Sequence, residues 1–152
     1  MSDAVPDVGQ GREMNRAEIV EFLYEQGVGT LSLAADRRAY AVPVSFTFDG
    51  TDRLFFELIQ FGDASKKLDF ADGTEEACFV TFAIESPQRW RSVVATGPLD
   101  HVEDGEYGDM DALMDDNAWY PNLFPGSDVV TTIRRAVLRI ADVTGRKGPD
   151  AA

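Results

Sequence analysis

Between Tyr40 and Phe48 the large apolar residues fall at every second position: Tyr40, Val42, Val44, Phe46 and Phe48. Only an extended strand places such a series on one face. The flanking chain repeats the pattern in shorter form. Gly29–Ala34 and Leu54–Ile59 read as strands, and Asp36-Arg37-Arg38 and Asp49-Gly50-Thr51-Asp52 read as the turns between them. Further strands are expected over Ala77–Ile84 and Arg91–Val102, with one long final strand over Thr131–Val143. Helical signals are fewer. Asn15 followed by Glu18 is a capping-box-like start, Ile19, Phe22 and Leu23 share a helical face, and Gly27 can end that helix. A short helix is expected over Ser65–Asp72, and another at Tyr107, Met110, Leu113 and Met114. The segment with Trp119-Tyr120-Pro121-Asn122 and Phe124-Pro125-Gly126 reads as an aromatic loop. The expected fold is mainly β, a small β-barrel of antiparallel strands with flanking helices. Residues 1–13 lack periodicity and are expected to be a flexible arm, 14–145 a single domain, and 146–152 a flexible tail.

Charge narrows the partners. There are 27 acidic against 14 basic residues, a net charge of -13 spread along the whole chain. Duplex DNA and anionic membranes would be repelled, so neither is expected as a partner. Asp outnumbers Glu, and Lys is scarce beside Arg. This balance is similar to that of proteins from high-salt cytoplasm, where screening relieves the self-repulsion of such a surface; the plainer alternative is an acidic mesophilic protein. No charged-then-apolar leader opens the sequence, and no apolar run approaches the ~20 residues of a membrane span. A soluble cytoplasmic protein is expected. Cys78 is the only cysteine and His101 the only histidine. An internal disulfide and a multi-histidine metal site are therefore excluded, and no metal is expected. Cys78 sits in the apolar run Ala77–Val80 and reads as a buried, inert thiol. Neither a P-loop nor a Gly-x-Gly-x-x-Gly fingerprint is present.

Three local features could carry chemistry. Lys66 and Lys67 stand in the first turn of a predicted helix, where the dipole disfavours cations. A phosphate would resolve the conflict by accepting hydrogen bonds from helix-start N–H groups, the Ser65 hydroxyl and both ammonium groups. The alternative is a solvated pair balanced by Asp63 and Asp69. Pro43 interrupts a convincing strand and cannot donate to a ladder, so it marks an edge, a bulge, or a place where something other than a strand lies alongside. Ala41, Pro43, Ser45 and Thr47 share its face, which suits either a flat ligand or solvent. Trp90-Arg91-Ser92-Val93 opens the fifth predicted strand. Arg91 could pair with phosphate or make a surface ion pair, Ser92 could hydrogen-bond a ligand, and Trp90 could cap the core.

The succession of these pieces resembles the pyridoxamine 5'-phosphate oxidase-like family of FMN-binding split barrels. The pieces are Gly29-Thr30-Leu31-Ser32-Leu33-Ala34, then Tyr40-Ala41-Val42-Pro43-Val44-Ser45-Phe46, then Ser65-Lys66-Lys67, then Trp90-Arg91-Ser92-Val93 with Gly97. With the saline composition, a haloarchaeal member is implied. The resemblance implies that Ser65, Lys66 and Lys67 hold the FMN phosphate. It implies that Val42, Pro43, Val44 and Ser45 pass beside the isoalloxazine, and that Ser92 and Arg91 reach the cofactor. It implies a homodimer with cofactor at the interface, and flavin-dependent redox chemistry on a small molecule. Trp119 and Tyr120 would supply an aromatic wall. No catalytic residue is assigned, since the flavin itself carries the electrons. The substrate-binding Arg and His residues of the oxidases proper have no counterpart in Thr131–Ala152. The alternatives are a reductase of the same fold using the deazaflavin F420, and a non-catalytic flavin-binding protein.

Overall fold

The computed structural model describes residues 11–61, 66–115 and 130–152, and their side chains apart from those of 59–68 and 115–133. The strands are β1 (Arg12–Glu13), β2 (Val28–Ala35), β3 (Arg38–Phe48), β4 (Arg53–Phe61), β5 (Ala77–Ser86), β6 (Arg89–Gly97), β7 (Leu99–His101), β8 (Val130–Arg139) and β9 (Asp142–Lys147). The helices are α1 (Arg16–Glu25), α2 (Lys66–Gly73) and α3 (Tyr107–Asp115), the last preceded by a 3-10 turn at Asp104–Glu106. Among the described residues, no helix is long and apolar enough to cross a membrane.

The strands form one sheet in the order β1-β9-β6-β5-β2-β3-β4-β8-β7, and each pair is antiparallel. β3 is 11 residues long and serves two neighbours. Its first part pairs with β2 over Arg38–Ser45, and its last three residues pair with β4. Closure comes from two bends. β6 pairs with β9 while β7 pairs with β8, so both two-strand runs pass from one half of the sheet to the other. The crossing is pinned by Arg139 N–H donating to the Pro98 carbonyl at 3.0 Å and Ala141 N–H donating to that of Thr96 at 2.8 Å. The result is a split β-barrel. Two expectations change here. Arg91–Val102 is two strands because Pro98 has no N–H to continue the ladder. Thr131–Val143 is also two strands, broken at Ile140–Ala141, and the second runs on to Lys147.

The chain ends also depart from expectation. Arg12–Glu13 pairs with Arg146–Lys147 rather than trailing as an arm. The Arg12 guanidinium donates to the carbonyls of Pro149 and Ala151 at 3.3 and 3.2 Å, and Ala151 is buried. The expected flexible tail from 146 thus begins in a strand and packs against the barrel; residues 1–10 lie outside the described residues.

Inside the barrel, alternation does what the sequence requires. Leu31 and Leu33 of β2, Val44, Phe46 and Phe48 of β3, and Phe56 and Leu58 of β4 all point inward. Phe79 of β5 meets Phe46 with centroids 4.6 Å apart and Phe56 at 5.4 Å, both tilted. Each such ring stabilises the fold by roughly 1.5–3 kcal/mol through burial alone. Helix α1 adds Ile19, Phe22 and Leu23 to this core. Its capping box is complete: Asn15 Oδ1 accepts from Glu18 N–H at 2.9 Å, and Glu18 Oε1 accepts from Asn15 N–H at 3.0 Å. The helix ends at Glu25 with Gln26 already extended, so Gly27 is not its left-handed cap. The Asp36–Arg37 turn has φ of 52° and 63°, the pair of positive values that a two-residue hairpin demands.

A second, smaller core lies outside the barrel. Met110 and Met114 of α3 cover Phe55, Val102 and Val137. Charges fasten this helix. The buried Glu106 accepts from Arg139 at 3.0 and 2.9 Å and from Arg53 at 2.9 Å. Asp49 accepts from Arg53 Nε at 2.7 Å. The Arg139 and Arg53 guanidiniums hold the Glu106 carboxyl down from 4.5 to about 2. A depressed carboxylate stabilises the fold above its unfolded pKa, and that contribution fades as pH falls from about 4.5 towards 2. Glu106→Gln leaves two guanidiniums without their shared partner. Both retain other carboxylates and some solvent, so the expected cost is about 2 kcal/mol. A thermal melt at neutral pH should show a drop of roughly 4–8 °C, and the difference between variant and parent should shrink towards pH 2.

Candidate functional site

Residue parity along the strands sorts the candidate residues into two groups. Val42 and Val44 point into the barrel and pack in its core. Only their backbone could meet a ligand on the outer face. Pro43 and Ser45 have the opposite parity. Pro43 is exposed and Ser45 buried. Phe46 N–H donates to Gly27 O, so even-numbered residues of β3 turn their N–H groups towards β2. The nitrogen of Pro43 therefore faces the other side, where β3 has no strand partner before Phe46. A proline is tolerated there because no ladder bond is lost.

Arg91 and Ser92 are neighbours on β6 and so face opposite ways. Arg91 shares the parity of the buried Val93. Its guanidinium lies 3.9 Å from the Glu25 carboxylate and donates to Ala152 O at 3.4 Å. It has taken the surface ion-pair alternative. Ser92 lies on the outer face, with Phe82 opposite it on β5. The six described candidates thus divide: Pro43, Ser45 and Ser92 share the outer face, while Val42, Val44 and Arg91 do not. Helix α2 begins at Lys66, with Lys67 also in its first turn. The side chains of both lysines, and all of Ser65, Trp119 and Tyr120, lie outside the described residues.

The outer face around Pro43 has a distinct chemistry. On β3 it presents Ala39, Ala41 and Pro43, and on β2 Thr30, Ser32 and Ala34. Cys78, Val80, Phe82 and Ile84 follow on β5, and Ser92, Val94 and Thr96 on β6. None of these side chains is charged, although 27% of the chain is. Phe82 and Ile84 are 56% and 68% exposed. Among the described residues no helix covers this face, whereas α3 covers the corresponding face around Phe55. Cys78 belongs to it and is half-buried rather than fully buried; burial first, and Glu76 second, push its thiol up.

A groove of about 540 Å³ crosses the face. Its floor runs from Pro43 over Thr30 to Val80 and Phe82, and the end of α1, Glu25–Gly27, forms one wall. Gln26 ties that wall down by donating to Thr81 Oγ1 at 3.0 Å and to the Phe82 carbonyl at 3.2 Å. Gly29 lies beneath it, where a Cβ would stand 2.2 Å from the Phe79 ring. Such a volume falls within the usual range for small-molecule sites. Sequence reasoning reached Pro43 but missed Gln26, Thr30, Val80 and Phe82, because only the pairing of β2 with β5 brings them together. Thr47, expected on the same face as Pro43, is buried, and its hydroxyl has no hydrogen-bond partner among the described residues.

His101, the lone histidine, is exposed on β7 with Nε2 3.9 Å from Asp72. Asp72 is also paired with Arg134 of β8, which fastens the C-terminal half of α2. Phe70 of the same helix stacks on Tyr40 at 5.3 Å.

Several solved structures share this architecture. An FAD-binding protein from Mesorhizobium loti superposes with a TM-score of 0.75 at 18% identity, covering 93% of this chain and 98% of that one. An FAD-binding protein from Mycobacterium smegmatis gives 0.66 at 13% identity, covering 89% and 98%. An FAD- and heme-binding protein from the same organism gives 0.65 at 18% identity, covering 90% and 73%. At such identities the likeness is one of fold. None of the curated proteins matches the sequence. The family model described as pyridoxamine 5'-phosphate oxidase matches residues 15–147. That span runs from the N-cap of α1 to the last residue of β9, and the chain belongs to the pyridoxamine 5'-phosphate oxidase family.

Proposed function

We propose that this chain is an FMN-binding flavoprotein, active as a homodimer in redox chemistry on a small molecule. The observation that carries the reading is the uncharged outer face. A molecule with a net charge of -13 can bring a second copy close only where carboxylates are absent. The face of β2, β3, β5 and β6 meets that condition and exposes Phe82 and Ile84 towards the hairpin end of β5. The open face at Pro43 gives a flat ring one wall, and a second copy gives it the other. The residues present fit the cofactor. Pro43 offers a surface free of ladder bonds, Ser45 beside it offers a hydroxyl, and α2 begins with two lysines at the positive end of its dipole. When bound, the flavin would supply the electron-carrying ring, while the protein orients it and keeps water from it. The FAD-binding relatives in fold favour a flavin over other groups. The acidic surface accords with a cytoplasm of high salt, as in a haloarchaeal cell.

A visible spectrum and light scattering on protein purified in molar KCl test this together. The expected result is a band at about 450 nm and the mass of two 16.7 kDa chains. Ile84→Asp, at an exposed position, should give a folded monomer that holds flavin poorly. A band at about 420 nm would point to deazaflavin instead. A colourless monomer that takes up no added FMN would remove the reading.

A further inference from the structure

We propose that the groove between the end of α1 and strands β2, β3 and β5 is the substrate site, and that it takes a flat, uncharged, apolar molecule rather than a phosphorylated or carboxylated one. This rests on the flavin reading and deepens it. Pro43 divides two regions. Its nitrogen faces the side where β3 has no strand partner before Phe46. On its other side, Thr30 and then Val80 lie across successive strands, so the groove extends roughly 10 Å away from the cofactor side. A molecule lying there would sit beside a ring held at Pro43.

The lining decides the class of molecule. It offers the apolar surfaces of Pro43, Val80 and Phe82, and the polar but neutral side chains of Gln26 and Thr30. Among the described residues that line it there is no lysine or arginine, and the one charged residue is Glu25. An anion entering would lose hydration and approach a protein of net charge -13, and no lysine or arginine among the described lining residues offsets either. The nearest guanidinium to that wall, Arg91, is already turned to Glu25 and Ala152. A neutral aromatic molecule meets none of these penalties.

Naphthoquinone and naphthoquinone sulfonate are suitable probes, because they share a ring system and differ by one charge. Their dissociation constants are measured by calorimetry in the lowest KCl at which the protein keeps its fold, on flavin-loaded and flavin-free protein. The neutral probe should bind the parent about tenfold more tightly or better. Glu25→Lys places a cation at the groove and at a helix C-terminus, where it is tolerated. It should tighten the sulfonate several-fold and leave the neutral probe unchanged. Equal affinities in the parent, equal changes in the variant, or no binding of either probe would overturn the proposal. Failure of the flavin reading shows separately, as a parent that takes up no FMN.

Discussion

Gly97→Ala is expected to be the most damaging single-methyl change in the protein. Gly97 ends β6 at the point where the chain crosses between the two halves of the barrel. A Cβ there would stand 1.9 Å from the Arg139 carbonyl oxygen, 2.9 Å from its carbon and 3.0 Å from Ala141 N. All three are backbone atoms held by the crossing itself, so no side chain can rotate away. Relief requires moving β6 from β8 and weakening the bonds from Arg139 N–H to Pro98 and from Ala141 N–H to Thr96. Overpacking usually costs 1–3 kcal/mol with flexible neighbours; against fixed backbone we expect more than about 3 kcal/mol. The melting temperature should then fall by roughly 6–12 °C or the protein fail to fold. Gly108→Ala is the control. Nothing lies within 4 Å of its Cβ position, and in α3 the change should stabilise by up to about 1 kcal/mol. A Gly97→Ala protein that melts with the parent would show that the barrel is not closed at this point.

That crossing also marks where the sequence was hard to read. The barrel class was legible because Tyr40–Phe48 alternates cleanly and the capping box at Asn15 and Glu18 is a local signal. Bends that carry one strand into a second sheet leave apolar patterning unbroken. Val137, Leu138 and Ile140 run on towards Val143 as though one strand continued, and only the change of partner from β4 and β7 to β6 reveals two. Pro98 was the clue available for the other bend. The site was legible only in part. Pro43 announced itself because proline cannot donate to a ladder, and its neighbours Val42 and Val44 are separated from it by parity alone. Arg91 and Ser92 are adjacent in sequence, and only the strand geometry shows that they face opposite ways. Thr30, Val80 and Phe82 carry no local signal; their uncharged character matters only once register aligns them on one face of an acidic molecule.

Lys66 and Lys67 carry the FMN-phosphate assignment most directly. Helix α2 begins at Lys66, so both lysines occupy a first turn, the positive end of the dipole. For the bare protein this is unfavourable. For a bound phosphate it is favourable, because unpaired N–H groups and two ammonium groups can serve one dianion. A hydrogen bond to a charged group is worth on the order of 1.5–3 kcal/mol, and ~1.4 kcal/mol is one decade in affinity. Replacing both lysines with alanine should therefore weaken FMN by at least about tenfold. Riboflavin has the same ring and no phosphate, so its affinity should change far less. The flavin-free variant should be as stable as the parent or slightly more so. The decisive measurement is a titration of FMN and riboflavin into parent and Lys66→Ala/Lys67→Ala protein in the same salt. The expected result is a loss confined to FMN; equal losses for both ligands, or unchanged FMN binding, would contradict a phosphate site at these lysines.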